Sequence, residues 1–179
     1  LAGIETVRIA PGATAFTPLD FVSYPWSHSL LMAVVWAGLA ALVTANILRA
    51  GRAAVAVGLV VLSHWMLDWI THAPDLPLWP GGPKAGLGLW NSIPATVTVE
   101  GLLFAVAIWF YAGSAPARDN TGRWAFWLFI AVVTAIWISG PFSPPPPGVG
   151  AVIAVTLLLA PLLPAWAAWI ERHRGGRRL

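Results

Sequence analysis

The sequence predicts an all-α, polytopic transmembrane helix bundle. Two observations set the class: 58% of the 179 residues are hydrophobic and only 9% are charged, and the mean hydropathy is +0.75. An ordinary soluble domain carries about 25% charged residues, so this chain is built for lipid. A third observation sets the architecture, because the apolar residues gather into five runs long enough to cross a bilayer, separated by segments rich in Pro, Gly and Arg. The ten Lys and Arg lie in short clusters between those runs, with no basic face interleaved with aromatics. That pattern argues against nucleic acid as a partner and leaves membrane lipid as the expected one. The chain has no cysteine, which removes disulfides and thiolate ligands and leaves imidazole and carboxylate as the strong metal donors.

Residues 1 to 27 are mixed in polarity, carry Pro11, Gly12 and Pro18, and contain no run long enough to span. They read as a lead-in. The first span is expected over residues 29 to 48, with Ser27 as a plausible N-cap and Arg49 and Arg52 closing it. The second covers 53 to 72 and stops because Pro74 disfavours helix at the residue before it. Residues 73 to 93 hold Pro74, Pro77, Pro80, Pro83 and several glycines, the composition of an ordered loop. A third span, 94 to 111, opens after Asn91 and Ser92 with Pro94 in its first turn. A fourth covers 124 to 138, and a fifth covers 149 to 170 after the Pro144 to Pro147 run. The whole chain reads as one transmembrane domain.

Charge predicts the orientation, because cytoplasmic loops collect Lys and Arg. Arg49 and Arg52, Arg118 and Arg123, and Arg172, Arg174, Arg177 and Arg178 fall on one side, with only Lys84 on the opposite loops between spans and Arg8 in the lead-in. Segments 1 to 28, 73 to 93 and 139 to 148 are therefore expected outside, with the C-terminus in the cytoplasm. Trp26, Trp79 and Trp90 fall near the outer boundary and Trp124, Trp127 and Trp169 near the inner one, as aromatic belts require. Five spans ending inside place residue 1 outside. Because the segment opens on Leu1 rather than Met, a sixth span is expected before it.

The functional signal is the run Ser63-His64-Trp65-Met66-Leu67-Asp68-Trp69-Ile70-Thr71-His72-Ala73-Pro74-Asp75. On a helix His64, Asp68 and His72 advance about 40° and about 6 Å per step and form one polar stripe. Such groups are costly in a bilayer and face a bundle interior or a water-filled cavity. The expected topology brings His28, His72, Asp75 and Glu100 to the same outer half, so six groups can line one outward-facing cavity. The plainer reading is that they hydrogen-bond between helices or reach the interface. The polar residues of the last two spans, Thr134, Ser139 and Thr156, mark scaffold, and His173 is expected to be solvated.

Neutral imidazole and carboxylate suit a divalent metal, zinc first, with manganese or iron accommodated by the same donors. The chemistry would be hydrolysis. His64 and His72 are about 12 Å apart along an unbroken helix and cannot share one ion, so either two metals bind or one end of the stripe supports the other.

Ser27-His28-Ser29-Leu30-Leu31 followed by Ser63-His64-Trp65-Met66-Leu67-Asp68 resembles the bacterial membrane-bound metal-dependent hydrolases, the YdjM-like proteins. Asp75-Leu76-Pro77-Leu78 and Gly86-Leu87-Gly88-Leu89-Trp90-Asn91-Ser92 resemble an uncharacterised branch of that family. The similarity covers residues 24 to 100, with the remainder alike only in hydropathy. It implies a bacterial inner-membrane location, a site using His28, His64 and Asp68, and a remote likeness to zinc-dependent phospholipase C enzymes. It also implies a preceding helix with a Pro-Asp motif, which this segment lacks.

The expectation is thus a membrane-bound hydrolase acting on a lipid-linked or phosphate ester. His28, His64, Asp68 and His72 are its candidate metal ligands, and Asp75 and Glu100 its candidate catalytic bases. Two other classes compete. One is a non-catalytic subunit bound to other membrane proteins, haem-binding or structural; the other is a proton or ion path through His64, Asp68, His72 and Glu100.

Overall fold

The computed structural model describes residues 5–175, so Leu1, Arg177 and Arg178 lie outside the described residues. Among the described residues, five helices are long and apolar enough to cross a membrane. Their apolar side chains stand open over most of their length: Trp109 is 75% and Leu157 70% exposed. Exposure of that kind along whole helices fits a lipid solvent, in which only the backbone has to be satisfied internally. By its internal contacts the chain divides into two compact units, Leu1–Ser92 and Ile93–Leu179.

The first unit opens with a β-hairpin in the lead-in, where no regular element was expected. Strands β1 (Thr6–Ile9) and β2 (Leu19–Ser23) pair antiparallel, with Arg8 opposite Asp20 and Ile9 opposite Leu19. Both are rich in β-branched and aromatic residues, but each is too short to declare itself by alternation. A four-residue helix α1 (Pro25–His28) follows, with Pro25 at its start. Ser29 then breaks the helical path at ψ 148° and caps α2 (Leu30–Leu48) by accepting from the Met32 N–H at 3.3 Å. The expected cap, Ser27, is instead two residues upstream, inside α1, with its hydroxyl engaged elsewhere.

Helix α2 ends on Arg49, which adopts φ 50° and closes the last turn onto the Ala45 carbonyl at 3.0 Å. Helix α3 (Gly51–Thr71) returns beside it. The pair approaches closely at Gly58, where an added Cβ would lie 3.3 Å from both the Ala37 carbonyl oxygen and Ala41 Cβ. Small residues at such crossings are what hold helices together in lipid, where hydrophobicity gives no net drive. His72 is already extended at ψ 149°, so α3 stops one residue sooner than expected.

The loop after α3 is ordered, as its composition suggested. Strands β3 (Leu76–Pro77) and β4 (Lys84–Ala85) form a short ladder, and a 3-10 turn covers Leu89–Asn91. The loop is tied to the helices by backbone bonds: Leu31 N–H to Leu78 O, Leu87 N–H to Trp69 O, and Gly88 N–H to His72 O at 2.7 Å. Tyr24, Ala33, Trp65 and Leu76 form the buried centre of the unit, packed by Phe21, Leu30, Leu62, Trp69 and Leu78.

The second unit contains α4 (Ile93–Ser114), α5 (Asn120–Ser139), a 3-10 turn at Gly140–Phe142 and α6 (Val149–Arg172). Asp119 caps α5 by accepting from the Gly122 N–H at 2.7 Å. Residues 173–175, directly after α6, are held by the turn between α4 and α5. Ala117 bridges Arg174, the Arg118 N–H donates to His173 O at 3.0 Å, and the Gly175 N–H donates to Pro116 O at 2.9 Å. Arg174 is buried, donates to Gly122 O at 3.1 Å and lies 4.3 Å over the Phe126 ring. His173, expected to be solvated, holds Asp119 Oδ2 at 2.8 Å. The reason is the α4–α5 turn, which offers backbone partners that no local pattern announces.

Candidate functional site

Three of the six groups singled out in the sequence meet. His64 and Asp68 are one turn apart on α3, with His64 Nε2 3.2 Å from Asp68 Oδ2. His28, at the break between α1 and α2, brings its Nε2 to 3.8 Å from the same oxygen. The imidazoles of His28 and His64 stand 5.4 Å apart between centroids. One ligand atom from each of the three residues falls within 4.8 Å of the others. Around a tetrahedral ion with bonds of about 2.1 Å, ligand atoms are separated by roughly 3.4 Å, so 3.2 and 3.8 Å bracket that spacing.

The oxygen at the centre is distinctive. Asp68 Oδ2 is buried and, among the described residues, receives no hydrogen bond. Leaving a buried carboxylate oxygen without a donor is costly, and two imidazoles with a carboxylate at this spacing could hold a divalent cation between them. His28 is suited to such a role: burial pushes its pKa down, outweighing the upward pull of Asp68, with His64 lowering it further. A neutral ring keeps a lone pair for a ligand. Its second nitrogen, Nδ1, stands 2.6 Å from Ser27 Oγ.

His72 and Asp75 are outside this cluster and form another group with Tyr24. The Tyr24 hydroxyl donates to Asp75 Oδ1 at 2.5 Å, and His72 Nδ1 is 3.3 Å from the same oxygen. His72 is 3% exposed and packed between Phe21 and Trp90, at 4.8 and 4.5 Å between ring centroids. The fold does not bring His72 to the three-residue cluster, since α3 ends at Thr71 and the His72 side chain leaves the stripe for Tyr24 and Asp75. Burial and the Asp75 carboxylate push the Tyr24 hydroxyl pKa well above its ordinary value, which keeps it a donor. Glu100 belongs to the second unit, where its Oε2 accepts from Trp137 Nε1 at 2.6 Å beside a cavity of about 250 Å³ lined with Phe104 and Val133.

The sequence reading missed Glu5, Ser27 as a partner of His28, and Tyr24. Ser27 and Tyr24 lie within four residues of His28 and could have been flagged by proximity, whereas Glu5 reaches it only through the hairpin.

The family model for the YdjM inner membrane protein matches residues 18–142. The chain belongs to that family. The match to the YdjM family spans His28, His64 and Asp68 and extends through α5, well beyond the 24 to 100 stretch recognised from motifs. Together with the five apolar helices it makes the protein a multi-pass membrane protein of an inner-membrane family. Neither a curated protein nor a solved structure matches the chain.

Proposed function

We propose that this YdjM-family protein is a divalent-metal-dependent hydrolase, with His28, His64 and Asp68 holding the ion and a lipid-linked or phosphate ester as substrate. The observation that carries the reading is the buried Asp68 Oδ2, which receives no hydrogen bond and faces two imidazole nitrogens at 3.2 and 3.8 Å. Two nitrogens and one carboxylate oxygen with a fourth position open match the donor set of a hydrolytic zinc site. The ion would supply Lewis acidity toward an ester or phosphoryl oxygen.

The chain's own residues supply the rest. Asp68 compensates the cation's charge in a poorly hydrated place, His28 is held neutral by its burial, and His64, 62% exposed, opens the cluster to an incoming substrate. The cluster sits toward the end of the helical hairpin where α2 starts and α3 finishes, the depth at which lipid headgroup chemistry meets apolar helices. We place that end on the outer side of the membrane from the Arg distribution. Asp75 and Glu100, the candidate catalytic bases, are engaged by Tyr24 and Trp137 respectively and stand outside the proposed ligand set.

The test is metal analysis of protein purified without chelators, followed by turnover of phosphate-ester and phospholipid probes with and without chelator. About one zinc per chain, lost in an Asp68→Asn variant that keeps the side-chain shape, is the expected result. Metal-free wild-type protein that also fails to take up added zinc would sink the reading.

A further inference from the structure

His28 is gripped from behind by a two-residue relay. Glu5 Oε1 accepts from the Trp26 and Ser27 N–H groups at 2.9 and 2.8 Å, and Glu5 Oε2 accepts from Ser27 Oγ at 2.7 Å. Ser27 Oγ in turn lies 2.6 Å from His28 Nδ1. A carboxylate has no proton to offer, and a serine hydroxyl has one. That proton is committed to Glu5, so Ser27 meets His28 with a lone pair. The contact is a hydrogen bond only if Nδ1 carries the ring proton.

We propose that Glu5 and Ser27 are positioning residues that lock His28 in the Nδ1–H tautomer and leave the lone pair on Nε2, the nitrogen that faces Asp68. The functional half of this inference rests on reading the cluster as a metal site, where Nε2 becomes a ligand. Ligating histidines regularly donate their other ring N–H to an oxygen that fixes the tautomer. Here the oxygen is a hydroxyl, itself oriented by the carboxylate of Glu5 immediately before β1, so the segment that leads into the β1–β2 hairpin has a task at the site. Neither residue would touch the ion.

Glu5→Gln tests the relay by inverting it. The glutamine oxygen must stay on the two backbone N–H groups, which places its NH₂ on Ser27 Oγ. Ser27 then turns its proton toward His28 Nδ1, and the ring proton moves to Nε2. The chain has four histidines, so imidazole ¹⁵N–¹H spectra of ¹⁵N-histidine protein in micelles, metal-free and at a pH where the rings are neutral, report the tautomer directly. A His28→Asn spectrum assigns the signal.

Wild type and Ser27→Thr are expected in the Nδ1–H form, Glu5→Gln in the Nε2–H form, and Ser27→Ala in a mixture. Zinc affinity should fall about 10- to 100-fold in Glu5→Gln and Ser27→Ala and stay near wild type in Ser27→Thr. An Nε2–H wild type, or a Glu5→Gln protein with an unchanged tautomer, would overturn the relay. Tautomers that shift as expected while zinc affinity stays constant would overturn its role at the metal. The expected tautomers in a wild type that takes up no zinc would uphold the lock and overturn the metal reading alone.

Discussion

His64 Nε2 stands 3.2 Å from Asp68 Oδ2, one turn along α3, and among the described residues the oxygen nevertheless receives no hydrogen bond. The next polar residue of the stripe, His72, takes no part in this contact and sits among Phe21, Tyr24 and Trp90. One sequence pattern therefore divides into two chemical groups with different consequences on mutation.

His64→Ala should lower zinc affinity by more than the roughly 10- to 100-fold that an outer-shell loss costs, with little change in thermal midpoint because the side chain is 62% exposed. His72→Ala should do the reverse. Removing a ring that is 3% exposed leaves a cavity and strips Asp75 of a partner, a loss of about 2–4 kcal/mol. Isothermal titration with zinc and thermal unfolding in detergent separate the two, and a His72→Ala protein that loses zinc as His64→Ala does would contradict the division.

Gly86→Ala should detach the loop that follows α3. Gly86 has φ +156°, and an added Cβ would collide with the Ala73 carbonyl, so the backbone bonds from Leu87 to Trp69 and from Gly88 to His72 cannot both survive. A strained backbone of this kind costs about 1–3 kcal/mol. Limited proteolysis should cut the 73 to 92 loop several times faster than in wild type, and an equal rate would count against the packing described.

The clasp in the second unit should loosen in acid. Hydrogen bonding to His173, then to the Gly122 N–H, holds the Asp119 carboxyl below its ordinary value of 3.8. A depressed folded pKa contributes stability that is present above the unfolded value and is lost as pH falls through the folded one. Amide exchange at Arg174 and Gly175 should therefore accelerate below about pH 4. In Asp119→Asn that acid limb should vanish, with exchange already faster at neutral pH.

Topology is open to cysteine labelling, because the native chain has no cysteine. Lys84→Cys and Leu87→Cys, both at exposed positions, should react with an impermeant thiol reagent from outside intact cells. Arg52→Cys and Arg118→Cys should react only after permeabilisation. The opposite pattern would move the cluster to the cytoplasmic face and with it the substrate class.

Much of the architecture was legible because it is periodic or compositional. The helix ends at Thr71 and Ile93 follow from Pro74 and Pro94 to within a residue or two, since proline acts on its immediate neighbours. The pairing of His64 with Asp68 is likewise an i, i+4 relation written into the chain. The Ser29 break was not legible, because Ser27 and Ser29 are equivalent as caps until Glu5 occupies one of them.

By itself the sequence determined the lipid solvent, five helices long and apolar enough to span it, and the pairing of His64 with Asp68 on α3, all consequences of composition or of spacing within one helix. Only the tertiary structure decided that His28 joins that pair while His72 leaves it for Asp75 and Tyr24. It also decided that Glu5 reaches the back of His28 through Ser27 and that Arg174 is buried against Gly122 and Phe126. These contacts join residues far apart in the chain through short irregular elements, where the backbone path sets which side chains meet and no local periodicity records it.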